Sequence, residues 1–294
     1  MMNIAVLMTC YNRREKTVAC LDSIQETVLP FSEKISVHIF LTNDGCTDGT
    51  AEAIQQRCYT IPIHILQGTG NLFWNGGMIL AWESAIRDGY FDGYLWVNDD
   101  IRILPVFWED LMHTDSYCME NYGKRGIYVG STKDSETGQL TYGGFFFVNK
   151  WTLKDRFVIP DGEHVQLCEA AHGNITYVSN AVVERMGVFD KRYRHSGSDH
   201  DYTYLTHKAG FPVLVCPHYS AFCSNDHAGK YKRLSSLGFR ERIHRFWSPF
   251  GLNMHNALLF NWRCFPYRVP IVLFAGIAKC ISPIKSYKAL SRMK

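Results

Sequence analysis

The chain has 294 residues, of which 46% are hydrophobic, with 31 Lys/Arg against 28 Asp/Glu and a formal net charge of +3. This suffices for one large domain or one domain plus an appendage, and nothing in it is low-complexity or repeated. The charge is uneven: residues 225–294 hold 13 Lys/Arg and 2 Asp/Glu, a balance of +11, whereas residues 1–224 hold 18 and 26, a balance of −8.

Different charge implies different partners. The expected division is one large domain over residues 1–225, in two parts that meet at about residue 104, followed by a basic, aromatic-rich extension over 226–294. No basic segment precedes the apolar Ile4–Cys10, and Tyr11-Asn12-Arg13-Arg14 follows it, so a secretory signal is not expected there. The ten cysteines form no C-x-x-C pair, so reduced thiols and a cytoplasmic location are expected.

In chain order, Ile4–Met8, Val37–Leu41, Ile61–Leu66 and Tyr94–Val97 read as strands rich in β-branched and aromatic residues. Helical stretches separate them: Glu15 to about Thr27, Thr50 to about Arg57, and Met78 to about Arg87. Strand–helix–strand alternation of this length predicts an α/β fold with a mostly parallel sheet and right-handed crossovers. After residue 105 the pattern loosens. Strands are expected at Ile127–Gly130, Tyr142–Val148 and Pro212–Cys216, and helices at Asn180–Met186 and from about Asp199 to Ala209.

Ligands of such a sheet bind beyond the carboxyl ends of its strands. Three polar clusters follow strands there: Thr9-Cys10-Tyr11-Asn12-Arg13, Thr42-Asn43-Asp44-Gly45 and Asn98-Asp99-Asp100. Adjacent carboxylates after a buried strand are costly unless something positive occupies the site. A divalent cation with a diphosphate resolves that cost, since hard oxygens suit Mg²⁺ or Mn²⁺. In extended chain neighbouring side chains point to opposite sides, so Asp99 and Asp100 are expected to divide the work, one on metal and one on the nucleotide sugar. Two exposed turn carboxylates would give the same three letters.

These clusters resemble those of the inverting family 2 glycosyltransferases of the GT-A fold, the group that builds bacterial surface polysaccharides. The resemblance rests on Thr9–Arg13, on Asn43-Asp44-Gly45-Cys46-Thr47-Asp48-Gly49-Thr50, on Gly70-Asn71-Leu72-Phe73-Trp74-Asn75-Gly76-Gly77-Met78, on Asn98-Asp99-Asp100 and on Asp199-His200-Asp201-Tyr202. It spans residues 3 to about 220 and implies a Rossmann-like, mostly parallel central sheet with a basic C-terminal helical extension.

The resemblance also implies roles. Thr9, Tyr11 and Arg13 would line the base and ribose pocket, and Asp44 would hydrogen-bond the base. An ionised carboxylate only accepts, which suits the imide N–H of uracil or thymine and a UDP- or dTDP-sugar donor. Asp48 is read instead as a helix cap. Where the commoner pattern has Ala-Arg-Asn, this chain has Phe73-Trp74-Asn75; Asn71 and Trp74 would shape the donor side, unless Trp74 is simply a core aromatic.

Asp199 is the candidate base that takes the acceptor hydroxyl's proton, with Ser198 where the family usually has Glu. A helix-capping role for Asp199, and Asp201 as the base, stay open; Asp201 is otherwise placed with the substrate. His218 is expected after the strand ending at Cys216, as a metal ligand beside Asp100, with a lone structural histidine as the alternative. Tyr142-Gly143-Gly144 is read as bordering the acceptor cleft or as a plain hairpin.

Phe246, Trp247, Phe250, Trp262, Phe265 and Tyr267 interleave with the cations of the extension. That pattern fits an anionic membrane surface at the inner face of the cell membrane and a lipid-linked glycan acceptor. A tail packed on the catalytic domain or on a second copy of the chain fits as well. No nucleic-acid motif accompanies the charge. The rival activities are a nucleotidylyltransferase, disfavoured because Thr9–Arg14 lacks glycine, and a non-catalytic sugar-nucleotide binder.

Overall fold

A computed structural model of the chain describes residues 1–224, 237–249 and 251–281. The boundary expected at residue 225, Phe250 and the basic residues beyond 281 lie outside the described residues.

The first part of the chain runs β1 (Met2–Cys10), α1 (Arg14–Val28), β2 (Ile35–Asn43), α2 (Thr50–Gln55), β3 (Ile63–Gln67), α3 (Phe73–Asp88) and β4 (Gly93–Val97). Its strands lie in the order β3-β2-β1-β4, all parallel. Period-two alternation sorts their side chains onto two cores. Ile4, Val6, Met8, Ile39 and Leu41 meet Val18, Leu21 and Ile24 of α1. On the other face Ala5, Leu7, Phe40 and Trp96 meet Met78, Ala81, Trp82 and Ala85 of α3. Helices cover both faces, which is why these strands read as nearly continuous apolar runs. The helix expected from Met78 starts five residues earlier, at Phe73, and takes in Gly76 and Gly77.

The second part continues with β5 (Arg102–Ile103), α4 (Val106–Tyr122), β6 (Ile127–Lys133), β7 (Leu140–Tyr142), β8 (Gly144–Asn149), β9 (Lys154–Phe157), β10 (Gln166–Leu167), β11 (Ala170–Ala171), β12 (Ile175–Ser179), α5 (Asn180–Met186), α6 (Ser198–Lys208) and β13 (Val213–Phe222). The central sheet extends past β4 as β12-β6-β13-β10, with β12 inserted antiparallel between β4 and β6. β11, β8 and β9 form a second, three-stranded sheet.

Three expectations change here. The single strand over Tyr142–Val148 is two strands in different sheets, broken at Gly143, because the chain crosses between sheets there. The strand expected to end at Cys216 continues through Pro217 to Phe222, with a register shift between Val215 and Tyr219 that accommodates the proline. The seventeen-residue α4 was not anticipated, although Phe107, Trp108, Leu111, Thr114, Asp115 and Cys118 form its buried stripe and a left-handed Gly123 closes it.

The extension contributes α7 (Phe239–Trp247), α8 (Met254–Cys264) and α9 (Val269–Ile281). Phe260, Cys264 and Phe265 join one apolar cluster with Phe145, Phe147, Tyr193 and Tyr204. Of the two arrangements left open above, packing on the catalytic domain describes α8. α9 packs on α8 and α7, with Gly276 against Met254 and Phe246, and turns Phe274 and Ile281 outward. Among the described residues, no helix is long and apolar enough to cross a membrane.

Candidate active site

The parallel strands deliver the polar clusters to one edge, and the first pair to meet there is Arg13 with the two acids after β4. Arg13, at the start of α1, contacts Asp99 Oδ1 at 3.0 Å and Asp100 Oδ2 at 2.9 Å, both through Nη1. Thr17 Oγ1 donates to the other oxygen of Asp99 at 3.3 Å. Asp99 and Asp100 occupy a turn, not extended chain. Their side chains therefore converge on one nitrogen, which corrects the expectation that they point to opposite sides. Arg13, expected at the base and ribose, is here the counterion of the acidic pair. Burial pushes the Asp99 carboxyl up to about 6, with Arg13 opposing and Asp100 adding to the rise.

Asp100 Oδ1 is buried and accepts no hydrogen bond. One buried oxygen without a donor, beside a second carboxylate and one bridging cationic nitrogen, fits a hard divalent cation. His218, expected beside Asp100, forms no three-ligand group with the acidic pair in this structure. It lies inside β13, its Nδ1 is held by Asp110 Oδ1 of α4 at 3.0 Å, and its backbone N–H donates to the same carboxylate. Among the described residues, the only group of three metal-ligating side chains lies elsewhere and includes neither His218 nor Asp100.

Asp44 is buried, and its carboxylate organises the loop after β3. Oδ1 accepts from Gly70 N–H at 2.8 Å, and Oδ2 from Leu72 and Phe73 N–H at 2.9 and 3.1 Å. Phe73 sits at φ 55, a costly conformation for a bulky residue, at the start of α3. With three backbone donors on its two oxygens, Asp44 has one acceptor position left for the base role expected of it. Thr9 packs against Gly77, where an added Cβ would collide with Thr9 Oγ1. Tyr11 and Asn71 are exposed at the rim. Asp48 accepts from the N–H and hydroxyl of Thr50 and from Arg14 N–H. It ties together the starts of α2 and α1, one residue ahead of the capping position.

Trp74 connects the two halves of the cleft. Its Nε1 donates to Asn98 Oδ1 at 2.8 Å, and its ring packs on Phe189. Gly173 lies between Trp74 and Asp199: an added Cβ there would stand 3.1 Å from the indole and 3.2 Å from Asp199 Cβ. Gly173 N–H donates to Asp199 Oδ2 at 3.0 Å. Beyond it, His200 Nε2 is 3.9 Å from the same oxygen. The His172 and His200 rings are 4.6 Å apart edge to face, and His172 Nδ1 meets Gly143 O at 3.1 Å. One wall thus runs from Asn98, the residue before Asp99, to Gly143. Burial pushes the Asp199 carboxyl up, but the His200 and His172 imidazoles and the Gly173 N–H outweigh it and hold it below the usual range.

Asp201 does not face this wall. It is buried and accepts Arg263 Nε of α8 at 2.9 and 3.0 Å, with Cys264 Sγ at 3.4 Å. The expectation that it binds substrate is corrected: it anchors the extension. Sequence reasoning missed Arg13 as counterion, the His172–His200 contact and Arg263. The signal for Arg13 was the strand order, because β1 beside β4 brings the start of α1 to the turn after β4.

Residues 5–114 match the sequence family described as Glycosyl transferase family 2. Those residues are a family 2 glycosyltransferase domain, and the chain is a glycosyltransferase of the GT-A fold. No curated protein matches it. Among solved structures it is similar to the mannosyltransferase PcManGT from Pyrobaculum calidifontis in complex with GDP-Man and Mn²⁺, at 13% identity and a TM-score of 0.55, over 98% of this chain and 78% of that one. It is also similar to residues 1–349 of S. aureus TarS in complex with UDP, at 11% identity and a TM-score of 0.57, over 100% and 92%. At these identities the structural likeness speaks for the fold, and this glycosyltransferase's site is read from its own residues.

Proposed function

We propose that this glycosyltransferase moves a sugar from a UDP- or dTDP-sugar to a hydroxyl of a growing, lipid-linked surface glycan, with inversion at the anomeric carbon. Asp199 takes the proton of the acceptor hydroxyl as its oxygen bonds to that carbon. The bond from carbon to the diphosphate oxygen breaks in the same displacement, and the nucleoside diphosphate leaves. Asp100 and Asp99 would hold Mn²⁺ or Mg²⁺, which when bound neutralises charge on the departing diphosphate. Asn71 and Trp74 border the donor, and Thr9, Tyr11 and Asp44 the nucleotide.

One observation carries this reading: Trp74 bonds Asn98, the residue before the acidic pair, and lies beside Gly173, whose N–H holds Asp199, so that an ionised base stands at one end of the run and an unmatched carboxylate oxygen near the other. The UDP bound to TarS supports a uridine donor, and the GDP-Man and Mn²⁺ of PcManGT support a cation while making a guanosine donor the competing result. The test is transfer from a panel of UDP-, dTDP- and GDP-sugars with and without Mn²⁺, with product configuration read by NMR. Metal-independent transfer, retention of configuration, or a preference for GDP-sugars would each overturn the corresponding part.

A further inference from the structure

At the opposite end of the sheet from Asp44, three side chains outside the cleft converge: His38 of β2, His64 of β3 and Asp88, the last residue of α3. Each offers one ligand atom, and the three atoms lie within 4.8 Å of one another. The sheet register explains the meeting. His64 pairs with Phe40, and His38 stands two residues before Phe40 on the same face, the one covered by α3. The rings are held in place: His64 stacks on Phe40 at 4.5 Å and 4°, and His38 meets Phe91 edge-on at 5.6 Å. His38 Nδ1 and His64 Nε2 are both buried with no hydrogen-bond partner. A buried imidazole nitrogen normally finds a donor, an acceptor or a metal.

We infer that His38, His64 and Asp88 form a site for a divalent transition ion of the Zn²⁺ class, separate from the acidic pair in the cleft. Two imidazoles and one carboxylate are a ligand set for Zn²⁺, whereas Mg²⁺ and Mn²⁺ favour all-oxygen sites such as Asp99 and Asp100. Bonds of about 2.0–2.1 Å bring tetrahedral ligand atoms closer together than 4.8 Å, so side-chain rotation closes the site. Asp88 is exposed, which leaves the remaining coordination to water. His38 lies five residues before Asn43 on β2, about 17 Å from the ligand edge of the sheet. The ion is therefore not catalytic. It ties the edge strand β3 and its neighbour β2 to the C-terminal end of α3, whose other end carries Trp74.

The test uses the full chain stripped with a chelator. Zn²⁺ should raise the melting temperature, because an ion that binds only the folded state stabilises it, and Mg²⁺ should not reproduce the rise. Co²⁺ should give visible d–d absorption. Asp88→Asn, at an exposed position, and His64→Gln should each weaken Zn²⁺ binding by at least about tenfold, since even changes in groups that only orient a ligand cost 10–100-fold. Both should lose the Co²⁺ band, while Asp100→Asn should keep it. No Zn²⁺-dependent rise in the parent, or a band that persists in Asp88→Asn, overturns the proposal; circular dichroism separates a lost site from a lost fold.

Discussion

Asp99 and Asp100 are neighbours in a turn after β4, whereas Asp199 and Asp201 stand two apart in the first turn of α6. The turn brings both carboxylates of the first pair to Arg13 Nη1. The helix does the reverse, because residues i and i+2 are separated by about 200° around its axis. Asp199 faces Gly173, Trp74 and His200, while Asp201 faces Arg263 on α8. Acidic residues close in sequence thus share one task in one place and divide two tasks in the other, and the backbone between them decides which.

The largest expected effect breaks the second pair. Asp199→Asn should lower the transfer rate by about 10²–10⁴, the usual worth of a positioned base, while nucleotide affinity stays near that of the parent and the melting temperature falls far less than activity. Asp201→Ala should give the opposite profile, a loss of stability with activity falling only as the fold does. Removing one partner of a buried ion pair costs about 3–5 kcal/mol, and the partial exposure of Arg263 puts this one near the lower end. Denaturant unfolding measures it. Wild-type stability with abolished transfer in Asp201→Ala would exchange the roles of the two acids.

How far these roles were legible follows from the same contrast. The first part of the chain, through β4, was readable because each strand and helix is local and its apolar pattern is continuous; Tyr94–Val97 followed by Asn98-Asp99-Asp100 put the acids at the carboxyl edge of the sheet. Arg13 as their partner was not readable, since it depends on β1 lying beside β4. Asp201 misled because its partner stands 62 residues later on the extension. The partner of His218 was not readable, since its strand runs on past Pro217 and Asp110 belongs to a helix whose stripe went unread.

A third change sharpens the first pair. Arg13→Met removes the nitrogen that bridges Asp99 and Asp100, so Mn²⁺ without nucleotide should bind about tenfold more tightly, the scale of one lost competing charge-assisted contact. Asp100→Ala should abolish that binding. Calorimetry decides, and Mn²⁺ affinity unchanged in both variants would remove the cation from the acidic pair.

A smaller effect concerns pH. The Asp199 carboxyl is held below its ordinary range in the folded chain, so its contribution to stability is present above the unfolded value and lost as pH falls through the folded one. His200→Gln removes one of the groups that lower it, so the acid limb of kcat/KM should move to higher pH. An unmoved limb would mean that Asp199 is not the group whose ionisation governs turnover.

The smallest expected effect on turnover lies on the extension, where the contrast between inward and outward faces recurs. Arg263 turns inward to Asp201, while Phe274 and Ile281 of α9 are 78% and 67% exposed. We propose that this outward face, with the basic residues of the extension, meets an anionic lipid surface. Phe274→Glu should weaken binding to anionic vesicles, because it places a like charge in the contact and removes an apolar side chain. Turnover on a soluble acceptor analogue should not change, since Phe274 takes no part in the core. Binding by the parent should fall as salt rises, because each well-placed cation is worth about 1 kcal/mol and is screened. A parent that ignores anionic vesicles at low salt but self-associates, with Phe274→Glu restoring the monomer in sedimentation, would assign the face to a second copy of the chain instead.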